Sequence, residues 1–205
     1  MPTTFTYKLD HDLGFAPNPF FGFCTLACCK TIIRRKAEIG DYVVGLTGKT
    51  GLRDHYPKII YWMKVSEILD FNSYWMDIRF NLKKPVINGP KIVKVGDNTY
   101  RKCFSTGNWL QETSMHNIPG TPINNKAHIE VDTSEDKVLI AEEFTYWGGL
   151  GPTLPEKLVS MFMNRNYQRN HPKNKEKELH KLLQIRSPKF LIGPPIDWEN
   201  KKYFR

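Results

Sequence analysis

The sequence has no apolar run approaching the ~20 residues that a bilayer-spanning helix needs, so no membrane partner is expected. Its first twelve residues, MPTTFTYKLDHD, lack the charged-then-apolar layout of a secretory signal, and a cytoplasmic protein is expected. Cysteine is scarce: Cys24, Cys28, Cys29 and Cys103 are the four, with no framework spacing, which excludes a disulfide-stapled secreted domain. Neither CxxC nor HxxxH occurs; Cys24 and Cys28 lack a second pair of ligands, so no metal site is expected. GxGxxG, GxSxG, HExxH and the zinc-deaminase pairing are absent too, and no motif identifies a cofactor. Gly48-Lys49-Thr50 resembles the end of a phosphate-binding loop, but Val43 stands where that loop needs its first glycine.

What is present is an ordinary globular composition, 40% hydrophobic and 25% charged, with a high aromatic share of 13%. At 205 residues the chain can bury a sizeable core. The expected class is α+β: a mixed, strand-rich single domain. It divides into a core over residues 1–155 and a basic helical extension over residues 156–205 packed on it. The net charge of +9 is uneven, since residues 156–205 hold 12 Lys and Arg against 5 Asp and Glu. Such a surplus attracts polyanions. Arg169, Lys173, Lys175 and Lys177 are therefore candidate nucleic-acid contacts; a solvated helix face is the plain alternative.

The densest chemistry lies in HDLGFAPNPFFGFCTLACCKTIIRR, residues 11–35. Pro17 and Pro19 stiffen the loop around Asn18, which runs toward a helix whose first amides point outward. Asp12 and His11 are candidate proton-handling groups. Cys28, beside Lys30 and the helix start, is a candidate nucleophile. Lys30, Arg34 and Arg35, with Asn18 and Thr25, are candidate phosphate or ligand contacts, because Leu26, Cys29 and Ile33 recur at helical spacing and should take the core side. His116 in QETSMH is a further acid/base candidate. Tyr146 and Trp147, at the end of an aromatic strand before a double glycine, suit base stacking.

Strands are expected over residues 3–9, 42–47, 58–68, 91–95, 99–104, 127–131 and 138–146. Asn72 or Ser73 should cap a short helix, and Gly96-Asp97-Asn98 should form a hairpin turn. Thr153 and Glu156 read as a capping box opening a helix, with a second helix over residues 174–186 and Trp198 and Tyr203 packing back onto the domain.

Asp12-x-Gly-Phe-Ala-Pro-Asn-Pro-Phe-x-Gly-x-Cys-Thr-Leu-Ala-x-Cys-Lys30, followed by Arg34, Gly40-Asp41, Tyr74-Trp75, Lys83-Lys84-Pro85 and Gly96-Asp97-Asn98, resembles the nucleotide modification associated domain family of the second type. The resemblance covers most of residues 5–155. It implies a setting in DNA base modification in prokaryotes and phages. Thr31, where a proline commonly follows Cys-Lys, and Arg101, where a histidine is frequent, depart from the pattern. At a looser level, Gly40-Asp41-Tyr-Val-Val followed by residues 59–69 is similar to the central strands of PUA-like barrels, which include readers of modified bases.

These readings converge on a protein that acts on, or recognises, a nucleobase or nucleotide, with nucleotide or DNA as partner. As an enzyme it would use residues 11–35 as its site. As a non-catalytic reader of modified DNA, or a binder of a small nucleotide signal in phage defence, it would keep the aromatic pocket and basic face without chemistry at Asp12 or Cys28.

Overall fold

A computed structural model of the chain describes residues 2–48, 57–118, 121–164, 166–200 and 204. Lys49 and Thr50, most of the 48–57 loop, Arg165 and Tyr203 therefore lie outside the described residues. In chain order the strands and α-helices are β1 (Thr4–Leu9), β2 (Cys24–Leu26), α1 (Thr31–Lys36), β3 (Tyr42–Thr47), β4 (Ile59–Lys64), β5 (Glu67–Leu69), α2 (Phe71–Met76), α3 (Lys91–Lys94), β6 (Tyr100–Lys102), β7 (Trp109–Gln111), α4 (Lys126–Thr133), β8 (Val138–Ala141), β9 (Glu143–Tyr146), α5 (Lys173–Leu182) and β10 (Phe190–Leu191). The class is α+β, as the sequence indicates. No helix among the described residues is long and apolar enough to cross a membrane.

The main sheet has the order β1-β3-β4-β9-β10, and a second sheet has the order β2-β8-β5. β1 pairs in parallel with β3, from Thr4 opposite Tyr42 to Leu9 opposite Thr47. β3, β4 and β9 then run antiparallel. The main sheet is open, with β1 and β10 at its edges, so the barrel closure suggested by the PUA-like analogy is not seen among the described residues. Side chains alternate across a strand with period two. Phe5, Tyr7 and Leu9 thus enter one core with Val43, Tyr61 and Tyr146. Val44, Leu46 and Trp62 enter another on the opposite face, with Leu158, Phe162 and Leu179. The C-terminal segment covers that second face.

Several local expectations give way. Where strands are expected over residues 91–95 and 127–131 the chain forms the helices α3 and α4; of the apolar residues in α4 only Ile129 packs against a core, while Ala127 and Val131 are exposed. Residues 58–68 break into β4 and β5, and residues 138–146 into β8 and β9, each pair sharing its strands between the two sheets. Asp70, not Asn72 or Ser73, caps α2 by accepting from the Ser73 amide at 2.9 Å. The segment after Pro155 is a 3₁₀ helix, Glu156–Phe162, without a side-chain cap, since Thr153 is drawn into a bridge with Lys58.

Gly96-Asp97-Asn98 is not a surface turn. Asp97 is fully buried and accepts hydrogen bonds from Thr25 Oγ1 at 2.7 Å and Tyr74 Oη at 2.8 Å. Lys83, also fully buried, donates to Asn18 Oδ1 at 2.7 Å and to the Asn18 and Phe23 carbonyls. Gly96 is needed there because a Cβ would collide with the Lys83 carbonyl. This network staples residues 14–25 to residues 83–98. Its members Asn18, Thr25, Tyr74, Lys83 and Asp97 are all among the residues that carry the family resemblance.

Candidate active site

Only residues 27–30 connect β2 to α1, and the connection is sharp. Cys29 and Lys30 have φ of 58° and 43°, both in the left-handed region. That conformation costs an ordinary L-residue ~1–2 kcal/mol, so two in succession persist only where surrounding structure enforces them. A strand, a residue at positive φ and a helix also make up the nucleophile elbow of hydrolases, which lifts a reactive side chain clear of the backbone. Here the turn separates two neighbouring thiols. Cys28 points into the core, and Cys29 stays partly exposed.

Cys29 Sγ lies 3.4 Å from His116 Nε2. His116 Nδ1 in turn lies 2.6 Å from Asp132 Oδ2. Asp132 Oδ1 accepts the Cys29 amide at 2.7 Å, and Oδ2 also accepts from Tyr100 Oη at 2.9 Å. Gln111 Nε2 completes the chain by donating to Tyr100 Oη at 3.2 Å. The acid is thus tied to the backbone of the cysteine whose imidazole it orients. The rings of Phe15 and His128 wall His116, at 4.7 and 4.3 Å between centroids.

The electrostatics follow from this packing. Burial disfavours a charged His116, but the hydrogen bonds to Asp132 and Cys29 outweigh it and hold its pKa up to about 10. Burial also works against the Asp132 carboxylate, and the His116 hydrogen bond and charge reverse the balance, leaving it below the usual range. Burial pushes the Cys28 thiol well above its ordinary value. The arrangement can lend a proton, accept one, and present sulfur to an electrophile.

The ligand atoms of Cys28, His116 and Asp132 all lie within 4.8 Å of one another, a spacing that would suit a metal ion. Their hydrogen bonds are nevertheless met by protein. Asp132 accepts three, and Cys28 Sγ lies 3.6 Å from the Asp97 carbonyl and from Thr99 Oγ1.

The candidates drawn from the sequence fall in several places. His116 is in the cluster, and Cys28 lies beneath it as a buried thiol; Cys29 is the thiol that faces the imidazole. Arg34 does not face outward. Its guanidinium donates to the carbonyls of Cys29, Asp132, Glu135 and Lys137, which leaves it no place for a phosphate. The helical spacing misled here because α1 starts only at Thr31, so Leu26 and Cys29 are not on its face. Being six residues long, α1 offers little helix-end field. Arg35 pairs with Glu135 at 2.8 Å on the surface. Lys30 remains beside the thiol, its ammonium 4.8 Å above the Tyr7 ring.

Asn18 and Thr25 belong to the buried staple described above. Asp12 is buried, accepting from Tyr146 Oη and from the Ile196 amide at 3.1 Å. Burial pushes its carboxyl up to about 6. Tyr146 is wholly buried and presents no ring face, while Trp147 packs on the core across the main sheet. His11 is half-exposed, 3.9 Å from Asp197. Lys173 and Lys177 line a groove of about 1020 Å³ with Lys181, Arg186, His180 and Tyr42. Lys175 turns away to Ser160 Oγ at 2.6 Å, and Arg169 is exposed outside that groove.

Cys29, Asp132 and Tyr100 were not singled out by sequence. Asp132 had a signal. Read as a helix, Lys126–Thr133 places His128 and Asp132 one turn apart on one face. The left-handed backbone at Cys29 had none.

The family described as nucleotide modification associated domain 2 matches residues 1–202, nearly the whole chain. No curated protein matches the chain, and no solved structure does.

Proposed function

Because the chain belongs to the nucleotide modification associated domain family of the second type, we propose that it is an enzyme of nucleobase or nucleotide modification, in a DNA-modification pathway, working through the Cys29 thiol. The observation that carries this reading is the strained turn that holds Cys29 Sγ 3.4 Å from an imidazole oriented by a buried carboxylate. Cys29 supplies the nucleophile. His116, kept protonated by its hydrogen bonds to Asp132 and Cys29, gives a proton to the substrate atom that gains the displaced electron pair, while the thiol proton passes to solvent as sulfur bonds. Asp132 fixes the ring and balances its charge. Sulfur bonds to an electrophilic carbon of the nucleotide or of a group being joined to it, and the bond breaks again on product release, with no net redox change. To Lys30, one residue on, we assign a phosphate of the bound nucleotide, which its ammonium would meet by leaving the Lys8 carbonyl and the Tyr7 ring.

A second reading, recognition without chemistry, is favoured by one observation. Lys173, Lys177 and Lys181 recur at every fourth residue of α5 and all face the large groove, on the side of the main sheet away from Cys29.

Intact-mass spectrometry separates the two. Parent and Cys29→Ser are incubated with nucleoside triphosphates or with single- and double-stranded DNA and quenched in acid. In parallel, iodoacetamide labelling of Cys29 is timed against that of Cys103. The expected result is added mass on the parent alone, and at least tenfold slower labelling of Cys29 in His116→Ala at an unchanged Cys103 rate. Binding with no adduct, and labelling indifferent to His116, would hand the molecule to the second reading.

A further inference from the structure

The β6–β7 hairpin grows out of the site just described. Tyr100, its first residue, donates to Asp132, and Gln111, its last, donates to Tyr100. Beyond Lys102 the chain turns through residues 103–108, closed by the Cys103 amide on the Asn108 carbonyl at 2.8 Å and by Gly107 at φ 70°. At this turn Phe104 is 88% exposed, a large cost for a ring with no partner to cover it.

Beneath Phe104 lies a cavity of about 430 Å³, lined by Trp75, Met76, Arg101, Lys102 and Leu110 among others, with two cations and no carboxylate in its wall. Arg101 and Lys84 stand 4.3 and 4.2 Å from the Trp75 ring centre, and Lys102 stands 4.6 Å from that of Trp109. Arg101 and Lys102 are ion-paired with Glu112 and Asp136, both outside the wall. Cations laid on aromatic rings around an apolar hollow match the chemistry of an unpaired base with its phosphate. Every base offers a π face, and the phosphate takes the positive charge.

We infer that this hairpin docks a nucleic-acid strand, with Phe104 stacking on an unpaired base over the Trp75 cavity and Arg101 and Lys102 meeting its backbone. Phe104 lies in the turn, two residues beyond the β6 strand that Tyr100 opens, so the docked base and the thiol stand at different places along the hairpin. A neighbouring nucleotide is then presented toward Cys29. Enzymes that work on a base must take it out of the stack, and an exposed apolar wedge on a basic hairpin serves that end. This presentation rests on the thiol reading; the docking does not. It makes the substrate class a polymer.

The test is fluorescence anisotropy with a 12-nucleotide single strand of mixed sequence and an abasic strand of equal length, using the full chain. The expected result is that Phe104→Ala, and equally the abasic strand, weakens binding by about tenfold at an unchanged Tm. Cys29→Ser should bind as the parent does, so loss of the thiol reading would show in the adduct assay alone. Equal binding by Phe104→Ala, or equal affinity for the abasic strand, overturns the inference. So does absence of strand binding together with self-association that Phe104→Ala abolishes, which would make the patch a protein contact.

Discussion

Two polar networks flank the 11–35 segment, and they end differently. In the first, Asn18, Thr25, Tyr74, Lys83 and Asp97 are all fully buried, and each named polar group finds a partner inside the protein. In the second, Tyr100 and Asp132 are buried, His116 is nearly so, and the chain of hydrogen bonds runs out at a partly exposed thiol. A closed network fixes a loop in place and has nothing left to offer a ligand. An open-ended one stores its unused capacity at the terminal group, and here that group sits on a strained turn. The first network holds up the second, because β2 and the loop it secures lead directly into that turn.

The comparison breaks most violently at Lys83. Burial brings its ammonium down to about 8, and it stays beside Asp97, whose own carboxyl is raised by the same burial. Removing the ammonium leaves Asn18 Oδ1 and the Asn18 and Phe23 carbonyls without their donor, and the buried Asp97 without the nearby positive charge, which together cost ~3–5 kcal/mol. Lys83→Met should therefore lower Tm by roughly 6–20 °C at this chain length, measured by calorimetry. A fall of under about 2 °C would show that the staple does not hold the loop.

Asp12 sharpens the contrast, being as enclosed as the first network yet titratable in an accessible range. Its folded pKa of about 6 lies above the ordinary 3.8, so the folded state binds the proton more tightly than the unfolded chain. The stability this contributes is fully present below pH ~4 and is lost as pH rises through 6, to a total of about 3 kcal/mol. Asp12→Asn lacks that loss. The Tm of the parent relative to Asp12→Asn should fall by roughly 6–12 °C between pH 4 and 7.5. A difference that stays constant with pH would mean that Asp12 remains ionised at its place beneath the C-terminal tail.

The elements legible in the sequence were those with a clean pattern. β1 alternates, β3 is an apolar run buried on both faces, and Leu179 and Leu183 repeat at helical spacing. Residues 127–131 failed because Ala-His-Ile-Glu-Val is short enough to fit either period, and the Asn125 cap, accepting from the His128 amide at 3.5 Å, lies outside that window. The site was half legible. His116 and the 11–35 block stood out by residue type, but the burial of Arg34 depends on carbonyls about 100 residues away in sequence. Which of two adjacent cysteines turns outward depends on backbone angles that side-chain chemistry does not encode.

That last point yields the smallest and most telling effect. At φ 58° glycine pays no steric penalty, whereas alanine keeps the cost that cysteine bears. Glycine also loosens the unfolded chain, which takes back ~0.4–1 kcal/mol. Cys29→Gly should accordingly melt roughly 1–4 °C above Cys29→Ala, while neither forms an adduct. The neighbouring Cys28→Ala should behave in the opposite sense. It empties space in a packed core, costs stability on the order of 1 kcal/mol, and leaves labelling of Cys29 in place. If Cys29→Ala melts as high as Cys29→Gly, the turn carries no strain, and the thiol's outward position needs no functional account. If both orderings hold, two cysteines joined by one peptide bond serve opposite ends, one filling the fold and the other maintained at its expense.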